Sequence, residues 1–433
     1  MNAFDRRSGP GPTPDGLPAG GRHTLLWLIT GQVALHSAMA GQRMAAPLQA
    51  LHGGASAWRV GVLLALFAAL PVLTAMAAGR MADRHGYHRP LRVAVGGTMA
   101  GASCALLACA LQGWPQFALM CVGAALAGLG TNVGLIAIQR SAGQLTSNST
   151  ERLRVFSWLG MAPSLANVVG PVAAGLMIDA GGYASAYGLM LVLPLVSLWV
   201  ARRVPKEVMR PMVRPHRSQR QAWDLFRRPG FSRLMLVSWM LSASWDVHSF
   251  AVPVLGHARG YSASTIGLLL GTFTAAVTLI RFAIPLLAHR LDEVRTLMVA
   301  MVGTGLVFAF YPLAPTPWWM ALCAALLGLN LGAVQPMVMS TLYHLTPADR
   351  QGEALALRSM VNNFSSSLMP LAFGVAGAAL GPAVLFWLVG AAVAAGSLAA
   401  RGLRETLTAS RAIHQAEPDP PVQPPPPPPS PPR

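Results

Sequence analysis

Long apolar stretches dominate this chain and limit what it can fold into. Runs of about 20 apolar residues, the length that an α-helix needs to cross a bilayer core, recur along most of the sequence. A helix satisfies its backbone hydrogen-bonding groups within one segment, as lipid requires. The sequence therefore predicts an all-α membrane protein with twelve transmembrane helices. The predicted spans are residues 25–48, 60–81, 91–111, 116–138, 155–178, 184–201, 234–256, 264–287, 295–312, 318–340, 354–378 and 382–401.

The charge content supports a membrane location. Of the 433 residues, 53% are apolar and only 11% are charged, whereas a soluble protein carries about 25% charged residues. A net charge of +17 would suggest nucleic acid binding in a soluble chain, but almost all of the 32 Lys and Arg residues lie in alternate loops. This bias predicts that both termini lie in the cytoplasm and that the chain is a multi-pass protein of a bacterial inner membrane. We expect no nucleic acid partner.

The spans and the composition between them predict five regions. A disordered N-terminus at residues 1–22 precedes a six-helix bundle at 23–201. A basic cytoplasmic linker at 202–233, which suits contact with anionic lipid, leads to a second six-helix bundle at 234–405. The tail at 406–433 is Pro-rich and is expected to be disordered.

The two predicted bundles match each other in sequence. An ordered series of identities favours two pseudo-symmetric halves related by an axis along the membrane normal, with a substrate site between them near the midplane. The matched pairs are Gly61 with Gly267, Phe67 with Phe273, Gly128 with Gly328, Pro171 with Pro370, and Gly175 with Gly374.

A glycine- and arginine-rich loop joins predicted spans 2 and 3. It reads Gly-Arg-Met-Ala-Asp-Arg-His-Gly-Tyr-His-Arg over residues 79–89 and resembles the signature G-x-x-x-D-R-x-G-x-x-R of the major facilitator superfamily. The loop position, the number of spans and the repeat agree with this resemblance, which covers residues 22–405. It implies the fold of that superfamily and a secondary transporter that is not an enzyme and works as a monomer.

The residues of this loop have distinct physical roles. A glycine at position 79 permits close helix packing and Gly86 permits a tight turn. Asp83 suits a helix N-terminus, and Arg84 and Arg89 supply cations to the inner surface. The resemblance implies that the loop is a conformational latch in which Asp83 meets the start of the eleventh helix. The predicted latch residues are Gly79, Asp83, Arg84, Gly86, Arg89 and Arg358.

The fifth predicted span contains Gly170, Pro171 and Gly175 in the order G-P-x-x-x-G. This is similar to the G-P-x-x-G-G motif of antiporters in the same superfamily, and glycine in a membrane helix permits close packing. The drug antiporters also carry an Arg four residues before the Gly of G-L-G in helix 4, where this chain has Ala124 before Gly128. A drug or metabolite efflux antiporter driven by protons is therefore the alternative function.

Ionisable residues within the spans are candidates for function because charge is costly in hydrocarbon. Asp246 is the acid nearest a helix centre, and the repeat places it opposite the helical face of His36 and Arg43. Structural roles are the alternative to a functional one: the side chains of Arg43 and Arg281 can snorkel to the membrane surface, and His36 or Asp246 can serve packing alone. The predicted cavity residues are His36, Arg43, Asn132, Ser242, Asp246, Ser249 and Asn330.

Motifs of other functional classes are missing from the sequence. It contains no H-E-x-x-H, G-x-S-x-G or phosphate-binding G-x-x-x-x-G-K-[ST] motif, so we expect no enzyme activity, no metal and no cofactor. Its partners should be a small-molecule substrate, protons and the lipid bilayer. A positive bias among the embedded charges favours an organic anion with proton coupling through Asp246.

Overall fold

The computed structural model describes residues 19–144, 149–205, 222–287, 292–346 and 350–416. Within these ranges the regular structure is helical and contains no β-strand, so the all-α prediction is confirmed. The α-helices are α1 (Ala19–His52), α2 (Ala57–His85), α3 (His88–Ala108), α4 (Gly113–Gln144), α5 (Ser149–Ala201), α6 (Phe231–Ala258), α7 (Ala263–Leu287), α8 (Glu293–Phe310), α9 (Pro317–Gly332), α10 (Val334–Leu345), α11 (Gln351–Leu380) and α12 (Pro382–Ala416).

Nine helical ranges in the described part of the chain are long and apolar enough to cross a membrane. One of them, Trp158–Ala201, covers the predicted span 184–201 and most of the predicted span 155–178. Gly182, at φ +75°, interrupts α5, and the chain reverses direction there. The reversal is evident because Gly170, before the break, and Met190, after it, both lie against Gly41 of α1. Polar residues lower the hydropathy of α1 and α6, which are not among the nine. The count of twelve spans stays a prediction.

The predicted tenth span is broken into α9 and α10 at Ala333. Pro336 lies in the first turn of α10 and lacks a backbone N–H. Its ring also clashes with the carbonyl four residues earlier, at Gly332, in a continuous helix. The break therefore follows from the proline, which the apolar run alone did not reveal.

Three predicted domain boundaries need correction. α1 begins at Ala19, inside the region expected to be disordered, and α12 continues to Ala416, past the predicted boundary at 405. Residues 405–416 are rich in helix formers and contain no Gly or Pro, which explains the extension. α6 begins at Phe231 rather than 234. The remainder of both termini and residues 206–221 of the linker lie outside the described residues.

The same close contact occurs once in each half, as the repeat predicts. A Cβ on Gly128 of α4 would overlap the carbonyl of Phe67 in α2, and a Cβ on Gly328 of α9 would overlap the carbonyl of Phe273 in α7. Each glycine thus lets a helix approach a neighbouring backbone. Because both partners are related by the sequence repeat, these contacts support the pseudo-symmetry of the N-terminal half (α1–α5) and the C-terminal half (α6–α12).

The halves meet closely on one side, which we call the far face and define by the loops at residues 53–56 and 259–262. The opposite side, which carries residues 202–205 and 222–230, is the linker face. Near the far face Gly61 of α2 lies against the Pro370 carbonyl of α11, and by the same symmetry Gly267 of α7 lies against the Pro171 carbonyl of α5. The cross-half contacts described here therefore place the closed side of the molecule at the far face.

A carboxylate reinforces this closure. Asp179, near the turn in α5, accepts hydrogen bonds from the backbone N–H groups of Ala263, at 3.0 Å, and Ser264, at 2.8 Å. These groups belong to the first turn of α7, where the helix dipole favours an anion. The N-terminal half thus caps a helix of the C-terminal half at the far face.

Candidate functional site

A cavity of about 130 Å³ lies between the two halves. Its walls come from α1 and α5 on one side and from α6 and α7 on the other, so movement of the halves must change its shape. It is smaller than the pockets that hold drug-sized ligands, about 300–1,000 Å³. The lining residues are His36, Met39, Ala40, Arg43, Met44, Asn167, Pro171, Trp245, Ser249, Leu270, Phe273 and Thr274.

An ion pair joins the halves at this cavity. Nη2 of Arg43 in α1 lies 3.8 Å from Oδ1 of Asp246 in α6. The Asp246 side chain is 5% exposed and that of Arg43 is 28% exposed, so the pair has one buried and one partly hydrated member. Ser366 of α11 also donates a hydrogen bond of 3.3 Å to Oδ2 of Asp246. Arg43 therefore points inward to a carboxylate instead of snorkelling.

Two buried nitrogen atoms beside this pair have no hydrogen-bond partner among the described residues. They are Nδ1 of His36, about two turns of α1 before Arg43, and Nε of Arg43 itself. An unpaired buried polar atom is costly, and both side chains line the cavity. The arrangement offers a cation and an imidazole to one small space, and the cation is paired with a carboxylate 3.8 Å away, which suits proton transfer and the binding of a charged solute.

Only some of the other predicted cavity residues reach this space. Ser249 lines the cavity, whereas Asp246 and Ser242, one turn earlier on α6, are not among its lining residues. Asn132 instead donates to the carbonyl of Pro71 at 3.4 Å, between α4 and α2. Asn330 lies against Gly303 of α8. Neither amide lines the cavity described here, because Asn132 is hydrogen-bonded within the N-terminal half and Asn330 packs against α8 within the C-terminal half.

Nine of the twelve lining residues were not among the predicted cavity residues, and four of these nine are aromatic or polar. The rings of Trp245 and Phe273 meet edge to face with centroids 4.6 Å apart, forming an apolar wall. Asn167 and Thr274 add polar groups from α5 and α7. Asn167 could have been found as a polar residue inside an apolar run one turn before Gly170, but aromatic residues are too common in membrane helices to signal a cavity.

Arg281 of α7 does not snorkel to the membrane surface. Its Nη1 donates to Oγ of Ser164 at 3.0 Å, and its Nη2 donates to Oε1 of Gln335 at 3.1 Å. Ser164 lies in the N-terminal half and Gln335 in the C-terminal half. The guanidinium therefore crosses the interface between the halves.

The predicted latch is not engaged in this structure. Oδ1 of Asp83 accepts a hydrogen bond of 3.1 Å from Nε of Arg140 in α4, within the same half. Arg358 donates instead to Oγ of Ser238 at 3.3 Å and to the sulfur of Met339. A Cβ on Gly79 would meet no atom within 4 Å, so close packing at Gly79 is absent. The expected contacts are missing because the close cross-half contacts described above lie toward the far face.

The rest of the signature loop has the expected local form. Gly86 ends α2 with φ +65°, a value that favours glycine, and its N–H donates to the Ala82 carbonyl. Arg84 and Arg89 are exposed at the linker face. Arg89 also lines a surface recess of about 610 Å³ with Arg92 and other residues.

A larger recess, of about 750 Å³, lies at the far face between loops of the N-terminal half. It is lined by uncharged groups such as Gln112, Gln116 and Tyr183. We place the functional site at the smaller cavity instead, because Arg43 of the embedded ion pair lines that cavity and both halves contribute to its walls.

The glycines of the predicted helix-5 motif serve close packing. A Cβ on Gly170 would lie 2.6 Å from the carbonyl oxygen of Ser37 in α1, and a Cβ on Gly175 would lie 2.5 Å from that of Ala263 in α7. Pro171 contacts Gly267 of α7 and lines the cavity. The motif thus fixes α5 against both halves.

We expect the ion pair to show in a double-mutant cycle. Arg43→Ala leaves Asp246 buried without a cation, and should cost up to about 3 kcal/mol of stability, since Arg43 is partly exposed and broken buried pairs cost 3–5 kcal/mol. Adding Asp246→Asn removes the uncompensated charge and should restore part of the loss. Thermal unfolding of the two single variants and the double variant measures this coupling. Strictly additive losses would show that the two residues do not interact.

Comparison with known proteins agrees with this architecture. The sequence model described as Major Facilitator Superfamily matches residues 28–243 and 234–432. The tetracycline resistance protein, class C, of Escherichia coli is 27% identical over 359 residues, which is 79% of this chain and 86% of that protein.

Solved structures share the fold. The peptide transporter POT in complex with sulfate has a TM-score of 0.72 and 15% identity, covering 89% of this chain and 95% of that one. A POT family transporter in complex with 5-aminolevulinic acid has a TM-score of 0.68 and 13% identity, covering 89% and 96%. The family match spans nearly the whole chain, and this protein belongs to the major facilitator superfamily.

Proposed function

We propose that this transporter carries a small organic anion by alternating access, with proton movement through Asp246. The observation that supports this best is the Arg43–Asp246 ion pair, because it joins the two halves and its cation lines the cavity. Separation of the halves would leave a buried carboxylate without its cation. Burial disfavours the charged form of a carboxylate, so Asp246 would then take up a proton.

The charge balance of the embedded residues favours an anionic substrate. Arg43 is paired with the carboxylate of Asp246. The hydrogen bonds of Arg281 and Arg358 in the described chain go to uncharged side chains instead. A guanidinium without a carboxylate is expensive at membrane depth. An anion in the central space would offset that cost. On the same fold, the solved POT structures hold sulfate and 5-aminolevulinic acid, both of which carry acidic groups.

The orientation in the membrane follows from charge. We propose that the linker face is cytoplasmic, as both termini would then be, because Arg and Lys concentrate in the loops of that side. The structure would then be closed toward the outside. When the linker face closes, we propose that Asp83 exchanges Arg140 for the start of α11 and completes the latch.

A ligand screen followed by a flux assay tests this function. The purified protein is heated with small carboxylates, with sulfate and with tetracycline, and a ligand at 100 times its Kd should stabilise the fold by about 2.7 kcal/mol. Ligands that raise the unfolding temperature are then tested for flux driven by a pH gradient in proteoliposomes. We expect anions to raise the unfolding temperature of the wild-type protein and to be transported, and we expect Arg43→Gln to lose both effects.

Arg401→Gln is the matched control for Arg43→Gln, since Arg401 is exposed on α12. It should keep the anion response. Stabilisation by neutral or cationic compounds alone, with Arg43→Gln unaffected, would contradict an anionic substrate.

The alternative is export of a drug or metabolite in exchange for protons. It is favoured by the similarity to the tetracycline resistance protein and by the glycine–proline motif of α5. Stabilisation by tetracycline, together with its proton-driven accumulation in everted vesicles, would establish this function instead.

A further inference from the structure

The Arg281 side chain lies on the linker side of the central cavity. α5 and α7 run antiparallel across the interface, as the contacts of Asp179 with Ala263 and of Pro171 with Gly267 show. Thr274 lines the cavity and precedes Arg281 by two helical turns on the same face. Arg281 is therefore farther from the far face than the cavity is.

Ser164, the cross-half partner of Arg281, lies at the same level. It precedes Asn167, which lines the cavity, by about one turn of α5 toward the linker face. Side chains on a helix lean toward its N-terminus, which for α7 is the far face. Arg281 therefore leans toward the cavity, and its 3.0 Å hydrogen bond to Ser164 joins the halves on the linker side of the cavity, which we call the floor.

The chemistry of this floor is suited to an oxyanion. No carboxylate of the described chain contacts Arg281, and its hydrogen-bond acceptors are a hydroxyl and an amide oxygen. Gln335 is exposed and Arg281 is partly exposed, and both lie on the linker side of the cavity. A carboxylate can bind a guanidinium through two parallel, charge-assisted hydrogen bonds, which are about twice as strong as neutral ones. It would outcompete the Ser164 hydroxyl.

We infer that Arg281 is both the loading site for the substrate oxyanion and the gate on the linker side of the cavity. An incoming carboxylate binds the guanidinium, displaces Ser164 and breaks the hydrogen bond between the halves. Substrate binding thereby loosens the floor and admits the anion toward Arg43. This inference rests on the proposed anionic substrate for its ligand, whereas the gate itself rests on the cross-half hydrogen bond alone.

Cysteine labelling tests the gate without a transport assay. The four native cysteines are replaced, Thr274→Cys is added, and a charged, membrane-impermeant maleimide is applied to the linker face. Ser164→Ala should raise the labelling rate about fivefold, the effect of losing one hydrogen bond. Ser367→Ala is the matched control, because Ser367 bonds only to the Asn363 carbonyl of its own helix. Equal labelling in both serine variants would overturn the gate.

The same assay with succinate or sulfate as probe tests the anion site, with chloride at equal ionic strength as the control. Either oxyanion should accelerate labelling of the otherwise wild-type protein, but not of Arg281→Gln. Arg281→Lys keeps the charge and is the second variant to test in case Arg281→Gln does not fold. Its labelling should be accelerated only weakly, because an ammonium lacks the planar fork of a guanidinium.

The outcomes separate this inference from the proposed function. If succinate accelerates labelling of Arg281→Gln and Arg281→Lys as much as it accelerates labelling of the wild-type protein, the Arg281 site is overturned. The proposal of an anionic substrate would then still stand. A wild-type protein that ignores both oxyanions, while Ser164→Ala opens the floor, would refute the anionic substrate and the loading role and leave the gate supported.

Discussion

Asp246→Asn is expected to abolish accumulation of substrate driven by a pH gradient while sparing exchange between equilibrated compartments. Asn has the shape of a protonated carboxyl group but cannot release a proton, so the cycle loses its coupling. Exchange requires no net proton movement and should continue near the wild-type rate. The measurement is uptake after a pH jump beside counterflow in the same vesicles.

Ser366→Ala is the matched control for this variant. It removes the 3.3 Å hydrogen bond to Asp246 but keeps the carboxylate and its contact with Arg43, so accumulation should persist. Continued accumulation by Asp246→Asn in response to pH would show that another group carries the proton. His36, whose Nδ1 is buried without a partner in the described residues, would then be the next candidate.

Gly61→Val should hold the halves apart at the far face. A side chain there meets the Pro370 carbonyl and the backbone of Gly374, neither of which can move as a flexible side chain can. Overpacking of this kind costs about 1–3 kcal/mol, which is about 5–150-fold in the balance between open and closed conformations. We expect a lower unfolding temperature and faster labelling of Thr274→Cys from the far face.

Two further glycines make this prediction sharp. Gly267→Val alters the symmetry-related contact with Pro171 and should act in the same way. Gly79→Val lies on the same helix as Gly61 but meets no atom within 4 Å, so its unfolding temperature should be unchanged. Slower turnover of Gly79→Val would support the proposed latch, which packs this glycine only when the linker face closes. Identical behaviour of Gly61→Val and Gly79→Val would refute the far-face contact.

The sequence alone determined the class of fold and its internal symmetry. Apolar runs in lipid leave the helix as the structure that satisfies its own backbone, and this holds without knowledge of any neighbour. The repeat was readable because its glycines and prolines are the residues that make the paired contacts, as Gly61 and Gly267 show. Helix breaks and ends were less readable, since Pro336 and the polar end of α12 lie outside the apolar pattern.

Only the tertiary structure decided which polar groups share the site. Helical spacing and the repeat brought Arg43 and Asp246 to facing helices, and the structure places them 3.8 Å apart. The same reasoning misplaced Asn132 and Asn330, because a polar side chain in a membrane helix bonds whichever backbone or side chain the packing offers. The partner of Asp83 likewise depends on which side of the molecule is closed. The same sequence must fit the conformation that is closed at the far face and the one that is closed at the linker face. The arrangement of the halves in one structure therefore decides which of the possible contacts of Asp83 is made.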